Sequence, residues 1–348
     1  MVTIGIDPHK STHMAVVIDD THQPLGQLEL TCDQRTLINL RRWAKAWPER
    51  TWAIEGSDGL GRLLARQLVA AGETVIEVPP TLAARARALR TGHGRKTDGI
   101  DALSVAEVAA TNPDLRHVAA DGDTTVLRLI ADRRDELSQQ RRQAINRLHR
   151  HLRDLVPGGA PRQLSADAAA KLLGKIRPAD PAIAERKYVA RQLVAEIRRL
   201  DKALTDNRQR ARAAVAATAT TLTEILGISE VLAAKILGHT GPIGRFKTSD
   251  AYANYSGTAP IEVSSGAVTR HRLSRRGNRQ LNNAIHMAAH VQRIHPGPGR
   301  DYYQRKLATG KSPNEAMRCL KRQLTKTLYR TLNSDLDRAL VTELSTAP

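Results

Sequence analysis

Short apolar runs that end on carboxylates constrain this chain more than any other feature. Residues 2–6 run into Asp7, and residues 51–54 run into Glu55. Runs of this length and bias are strands, and two such strands lying side by side would set both anions at one edge of a sheet. The flanking segments supply the rest of that sheet. Residues 13–18 and 27–30 are apolar or alternating, and the turn-rich stretches 8–11 and 19–26 separate them, the pattern of three hairpin-connected strands. Leu37, Leu40, Trp43, Ala44 and Trp47 then recur at helical spacing. A strand over 51–55, a helix over 60–71, a strand over 74–78 and a helix from about residue 98 to 110 complete the series.

Three antiparallel strands followed by alternating helices and strands predict a mixed α/β sheet, in the order of the ribonuclease H-like fold. Asp98 and Asp101 open the last of these helices and, three apart, share one of its faces. Read singly, Asp7 is a strand end, Glu55 a surface residue and Asp98 a helix cap. Clustered, the four would repel strongly without a cation between them. Hard ions such as Mg²⁺ or Mn²⁺, a pair of them roughly 3.5–4 Å apart, would neutralise the set and clamp a phosphate for in-line transfer. The preceding segment, Gly92-His93-Gly94-Arg95-Lys96-Thr97, fits this expectation. Its glycines allow close backbone approach, and Arg95 and Lys96 add positive charge for nucleic acid beside the acidic set.

Charge points the same way. Lys and Arg number 54 against 35 Asp and Glu, a formal excess of +19 over 348 residues. Such an excess favours a polyanionic partner, DNA or RNA, over an acidic protein surface. No apolar run approaches the length of a spanning helix, no signal-peptide pattern opens the chain, and a membrane partner is not expected. Cys32 and Cys319 form neither a disulfide framework nor a zinc set. A bacterial cytosolic, nucleoid-associated location is the expectation. Six Tyr, three Trp and one Phe leave too few aromatics for a base-stacking platform.

Three domains are expected: an acidic metal-binding domain at 1–120, a helical region at 121–215 and a mostly helical domain at 216–348. Residues 124–155 and 183–222 are rich in Ala, Arg, Leu and Gln, and Leu193, Ile197, Leu200 and Leu204 form a short coiled-coil seam. The two helices would pair within the chain or with a second subunit. Further on, Leu226-Gly227-Ile228 and Leu237-Gly238-His239 flank a helix-like stretch and resemble a helix-hairpin-helix, whose backbone amides contact phosphate. His286 and His290 lie four apart without the glutamate of a metalloprotease helix. The segment after Asp7 has a faint likeness to a phosphate loop of actin-like ATPases, but no glycine-rich partner loop follows.

Gly5-Ile6-Asp7, Ile54-Glu55-Gly56, Arg95-Lys96-Thr97-Asp98-Gly99-Ile100-Asp101-Ala102, and Gly257-Thr258-Ala259-Pro260 with Ser264-Ser265-Gly266 together resemble the DEDD transposases of the IS110 class of insertion sequences. The resemblance covers nearly the whole chain in the family's order. It implies a RuvC-like N-terminal domain holding Mg²⁺ (or Mn²⁺) through Asp7, Glu55, Asp98 and Asp101, and a nucleophilic serine in the C-terminal domain, by position Ser265, with Ser264 the neighbouring candidate. It also implies strand exchange on DNA guided by a structured bridge RNA, and a dimer or tetramer in which one subunit's acidic site meets another's serine. A serine suits such chemistry, because a phosphoserine linkage conserves the bond energy for rejoining. Arg270, Arg272, Arg275, Arg276 and Arg279 follow it and could hold the scissile strand by its phosphates. Pro8-His9 and Gly56-Ser57 depart from the family's commoner residues after the first Asp and the Glu. Two alternatives stay open: a junction nuclease that uses water and leaves Ser265 idle, and a non-catalytic nucleic-acid-binding scaffold.

Overall fold

A computed structural model of the chain describes residues 1–57, 59–89, 97–265, 268–273 and 277–346, with the side chains at 262–273, 343, 344 and 346 left aside. The chain divides into two compact units, Met1–Asp121 and Gly122–Pro348.

The first unit opens with β1 (Val2–Pro8), β2 (Thr12–Ile18) and β3 (Pro24–Thr31), then α1 (Thr36–Trp43), β4 (Arg50–Glu55), α2 (Arg62–Ala70) and β5 (Val75–Val78). It closes with α3 (Pro80–Leu89) and α4 (Asp98–Thr111). The five strands form one sheet in the order β3-β2-β1-β4-β5. β1, β2 and β3 pair antiparallel, whereas β4 runs parallel to β1 and β5 parallel to β4. This is the ribonuclease H-like arrangement expected from the order of apolar runs.

Alternation sorts the side chains of the central strands onto two faces. Ile4, Ile6, Trp52 and Ile54 are wholly buried with Leu40 of α1 and Leu64, Ala65 and Leu68 of α2. Ala53 and Val78 bury on the opposite face with Ala83 of α3 and Val105, Val108 and Ala109 of α4, and Val16 and Ile18 meet Ala102 and Ala106 of α4. Gly5 makes the close approach of α4 feasible. A Cβ there would fall on the Ala102 carbonyl oxygen and the Ala106 amide nitrogen. Glu73 ties down the start of β4, accepting from the Trp52 indole at 2.8 Å and from Arg50 Nη2 at 2.6 Å.

The second unit is built on two long helices, α5 (Asp123–Leu155) and α7 (Pro181–Ala217), with α6 (Ala166–Lys175) between them. Ser165 caps α6 by accepting from Ala168 N at 3.1 Å, and Asp180 caps α7 by accepting from Ile183 N at 2.8 Å, with Pro181 in the first turn. α5 and α7 run antiparallel. Asn207 donates to the Ile130 carbonyl at 3.0 Å, Arg134 to that of Leu204 at 3.2 Å, Arg141 pairs with Asp201, and Arg186 lies 3.8 Å from Asp154. The seam foreseen at Leu193, Ile197, Leu200 and Leu204 therefore pairs within the chain, against Leu137, Ala144, Leu148 and Leu152.

The other ends of α5 and α7 enter a second core with α8 (Glu230–Thr240), α9 (Ser249–Tyr255), a hairpin of β6 (Pro260–Ser265) and β7 (Val268–Leu273), then α10 (Arg279–Ile294), α11 (Pro298–Ala308) and α12 (Pro313–Thr346). Leu127, Ile130, Ala211 and Val215 pack there with Ala233, Ile236, Ile285 and Leu328. α8 continues past the expected turn at Gly238 and stops at Gly241, whose φ is +63°. A Cβ at Gly238 would strike the α5 backbone at Leu127 and Arg128, so this glycine serves helix packing. No helix among the described residues is long and apolar enough to cross a membrane.

Candidate active site

The parallel register of β1 and β4 pairs Ile6 with Ile54, so Asp7 and Glu55, one step on, lie at the same level, Asp7 next to last in β1 and Glu55 last in β4. Each lies two residues beyond a position that faces α4 or its core, Gly5 for Asp7 and Ala53 for Glu55, and alternation turns both carboxylates to that face. α4 begins above them. Thr97 is its N-cap and accepts from Ile100 N at 3.4 Å, placing Asp98 and Asp101 in the first turn, where the helix dipole favours anions. The strand ends and the helix start thus set the four carboxylates on one face of the sheet, but among the described residues the donor atoms close enough to share an ion belong to Asp7, Asp98 and His9, without Glu55 or Asp101.

Within that region the carboxylates have distinct surroundings. Asp101 is buried, 4% exposed, and accepts a hydrogen bond from Arg87 of α3. The Asp101 carboxylate, with Glu55 and Asp7 behind it, holds the Arg87 guanidinium above its ordinary value. A fixed cation therefore already sits in the anionic field. Asp98 is half exposed and Asp7 mostly covered, and His9 lies between them. His9 Nδ1 is 3.7 Å from Asp7 Oδ2, and its Nε2 is 3.6 Å from Asp98 Oδ1. One donor atom from each of Asp7, His9 and Asp98 lies within 4.8 Å of the others. Oxygen donors with one imidazole are a donor set that fits a divalent cation. Arg95 and Lys96 lie outside the described residues.

In the second unit, Ser264 pairs with Thr269 and Ser265 with Val268, so the two serines are the last residues of β6. Arg270 and Arg272 follow in β7, opposite Val263 and Ile261, and Arg279 is exposed at the start of α10. Arg275 and Arg276 lie outside the described residues. The base of the hairpin is a backbone crossing. A Cβ at Gly277 would fall on Gly257, itself at φ +66°. Asn278 caps α10, accepting from Leu281 N at 2.9 Å, and Asn282 donates to the Ser256 and Gly257 carbonyls at 2.9 Å each. Lys321 of α12 donates to Asn282 Oδ1 at 2.6 Å, and Thr258 and Thr325 share a hydroxyl contact at 2.9 Å. The Gly-Thr-Ala-Pro segment is thus the anchor of the hairpin that carries the serines.

The DEDD transposase family of the IS110 type matches residues 4–157, and the transposase family IS116/IS110/IS902 matches residues 219–304. The chain belongs to the IS110 family of transposases. Among its relatives is the 44.8 kDa protein of insertion element IS116 from Streptomyces clavuligerus, 27% identical over 381 aligned positions that cover 95% of this chain and 94% of that protein. The 42 kDa protein of insertion element IS900 from Mycobacterium paratuberculosis is also 27% identical, covering 95% of each chain. Two solved structures of RuvC from T. thermophilus, one in complex with a Holliday junction substrate, are similar over 34% of this chain at 17% identity, with TM-scores of 0.29 and 0.28. They are matched over 99% and 100% of their own length.

Two residues beside the acidic cluster escape a reading of the sequence. His9 stands in the linear pattern as a departure from the family's usual residue, and only the fold places it between Asp7 and Asp98. Arg87 carries no signal, since it sits in an Ala-Arg-Ala-Arg run and reaches Asp101 only through the packing of α3.

Proposed function

We propose that this transposase cuts and rejoins DNA through a covalent serine intermediate, with the carboxylates of the first unit holding Mg²⁺ or Mn²⁺. The observation that carries the reading is the placement of Asp7 and Glu55 at the ends of adjacent parallel strands, below the Asp98 and Asp101 turn of α4. Oxygen donors converge there in a chain with a +19 excess, an arrangement suited to bringing a cation and a phosphate together. When bound, the cation supplies neutralisation and polarisation of the scissile phosphate.

The Ser265 hydroxyl oxygen attacks phosphorus, the phosphorus–oxygen bond to the leaving deoxyribose breaks, and the hydroxyl proton passes to solvent or to the leaving oxygen. One phosphoester replaces another, so rejoining by the reverse attack needs no nucleotide cofactor. Arg270, Arg272, Arg275, Arg276 and Arg279 hold the strand by its phosphates beside the serine, and Arg95 and Lys96 do so beside the carboxylates. By its family the protein works as a dimer or tetramer in the bacterial cytosol, and a structured bridge RNA selects donor and target DNA.

The test is a denaturation-resistant protein–DNA adduct, sought with the element's own ends and Mg²⁺ in the wild type, Ser265→Ala and Asp101→Ala. Adduct in the wild type alone is expected. Nicked DNA without adduct would point to attack by water, and binding with neither product to a scaffold. Sequencing of copurifying RNA tests the guide, and its absence would remove that part alone.

A further inference from the structure

We propose that His9 is a ligand of the cation site, making it a mixed nitrogen–oxygen centre that prefers Mn²⁺ to Mg²⁺. The proposal rests on the reading of Asp7 and Asp98 as cation ligands and adds the donor that sets ion preference.

Backbone contacts fix where the imidazole stands. β1 ends at Pro8, whose ring locks its own φ, and the next residue is His9. The His9 amide donates to the Thr12 carbonyl at 2.9 Å, closing the turn into β2. That turn is tied in its turn to the end of β3. Cys32 N donates to the Ser11 carbonyl at 2.8 Å, and Cys32 Sγ contacts the His9 carbonyl at 3.9 Å. The side chain therefore leaves a braced turn.

Both ring nitrogens lie beside carboxylates, yet at 3.7 Å from Asp7 and 3.6 Å from Asp98 they are too far for hydrogen bonds. Donor atoms that share one divalent ion at about 2.0–2.2 Å each stand roughly 3–4 Å from one another. With one ring nitrogen as the ligand, the separation to the carboxylate it faces falls in that interval. Asp101 is engaged by Arg87, and the donor atoms that come within 4.8 Å of one another belong to Asp7, His9 and Asp98.

Ion preference follows from donor chemistry. Mg²⁺ is a hard ion that favours oxygen and keeps several of its waters, whereas imidazole suits first-row transition ions. A site of carboxylates alone gains little on exchanging Mg²⁺ for Mn²⁺. One with a histidine nitrogen gains a stronger bond.

The experiment uses the full-length protein, Mn²⁺ titrated by electron paramagnetic resonance, Mg²⁺ by calorimetry, and pulsed resonance to detect nitrogen bound to Mn²⁺. The His9 side chain is 40% exposed, so His9→Gln should fold, and melting curves check it. We expect His9→Gln to abolish a directly bound nitrogen signal, to weaken Mn²⁺ by about tenfold or more, and to change Mg²⁺ affinity by less than about twofold. Bound Mn²⁺ with no nitrogen signal that depends on His9, or an equal loss for both ions, would overturn the assignment of His9 while leaving the carboxylate site intact. Mn²⁺ binding that is absent from the wild type, or unaffected by Asp7→Asn, would bring down the underlying carboxylate reading as well.

Discussion

Arg87 donates a hydrogen bond to Asp101, the most deeply buried carboxylate of the acidic site, and so places a guanidinium where Glu55 and Asp7 also act on it. A protein cation and a metal cation cannot both take full benefit of one carboxylate. Were the proposed cation bound at these carboxylates, the contact would compete with it.

Arg87→Ala should therefore tighten divalent-cation binding, by about tenfold for the loss of one neighbouring positive charge. Without a cation, the same variant leaves Asp101 buried without its guanidinium and should lose about 1–3 kcal/mol of stability. Calorimetric titration and thermal melting, with and without chelator, measure both. Weaker cation binding in the variant would mean that Arg87 supports the ion instead of competing with it.

Gly5→Ala tests the packing that brings α4 over the strand ends. The added Cβ meets backbone atoms of α4, which cannot swing aside as a flexible side chain does, and a cost of about 1–3 kcal/mol is expected in urea unfolding. Gly174→Ala is the control. Its Cβ would meet nothing within 4 Å inside α6, and a gain of about 0.5–1 kcal/mol is expected from helix propensity.

Lys321 makes a prediction about pH. It is 7% exposed, and burial pushes its ammonium down to about 8. An unfolded lysine titrates near 10.4. Below pH 8 both states carry the proton, and the folded chain bears the cost of the buried charge. Between the two values the folded chain releases its proton first, the unfolded chain binds more, and stability rises with pH. His286 beside it is neutral throughout this window, its own value being lowered by burial. Lys321→Met lacks the rise, so its stability minus that of the wild type should fall by about 1–3 kcal/mol between pH 7 and pH 10. Parallel pH curves would contradict the assignment.

What the sequence discloses and what it withholds divide on physical lines. Strand ends at Asp7 and Glu55 are legible because the central strands are buried on both faces and read as continuous apolar runs. The helix start and its first-turn aspartates are legible because helix starts have local chemistry, although the cap is Thr97 and not Asp98. The helix α3 is not, since its Ala-Arg alternation has little amphipathic contrast, and Arg87 is hidden with it. The β6–β7 hairpin is likewise missed in a segment that otherwise reads as helical. Its short strands are anchored by the Gly257–Gly277 crossing and by Asn282 and Lys321, contacts between residues distant in the chain. Local pattern could not choose the partner of the Leu193 seam either. That choice is made by the ladder of polar contacts between α5 and α7.

The central claim is that Ser265 becomes joined to DNA. Digesting the denatured adduct with protease and nuclease, then sequencing the nucleotide-bearing peptide by mass spectrometry, tests it most directly. The account predicts a nucleotide mass on Ser265 that requires a divalent cation and disappears in Asp7→Asn. A nucleotide on Ser264 or another residue, or strand transfer that proceeds with no modified peptide, would contradict it.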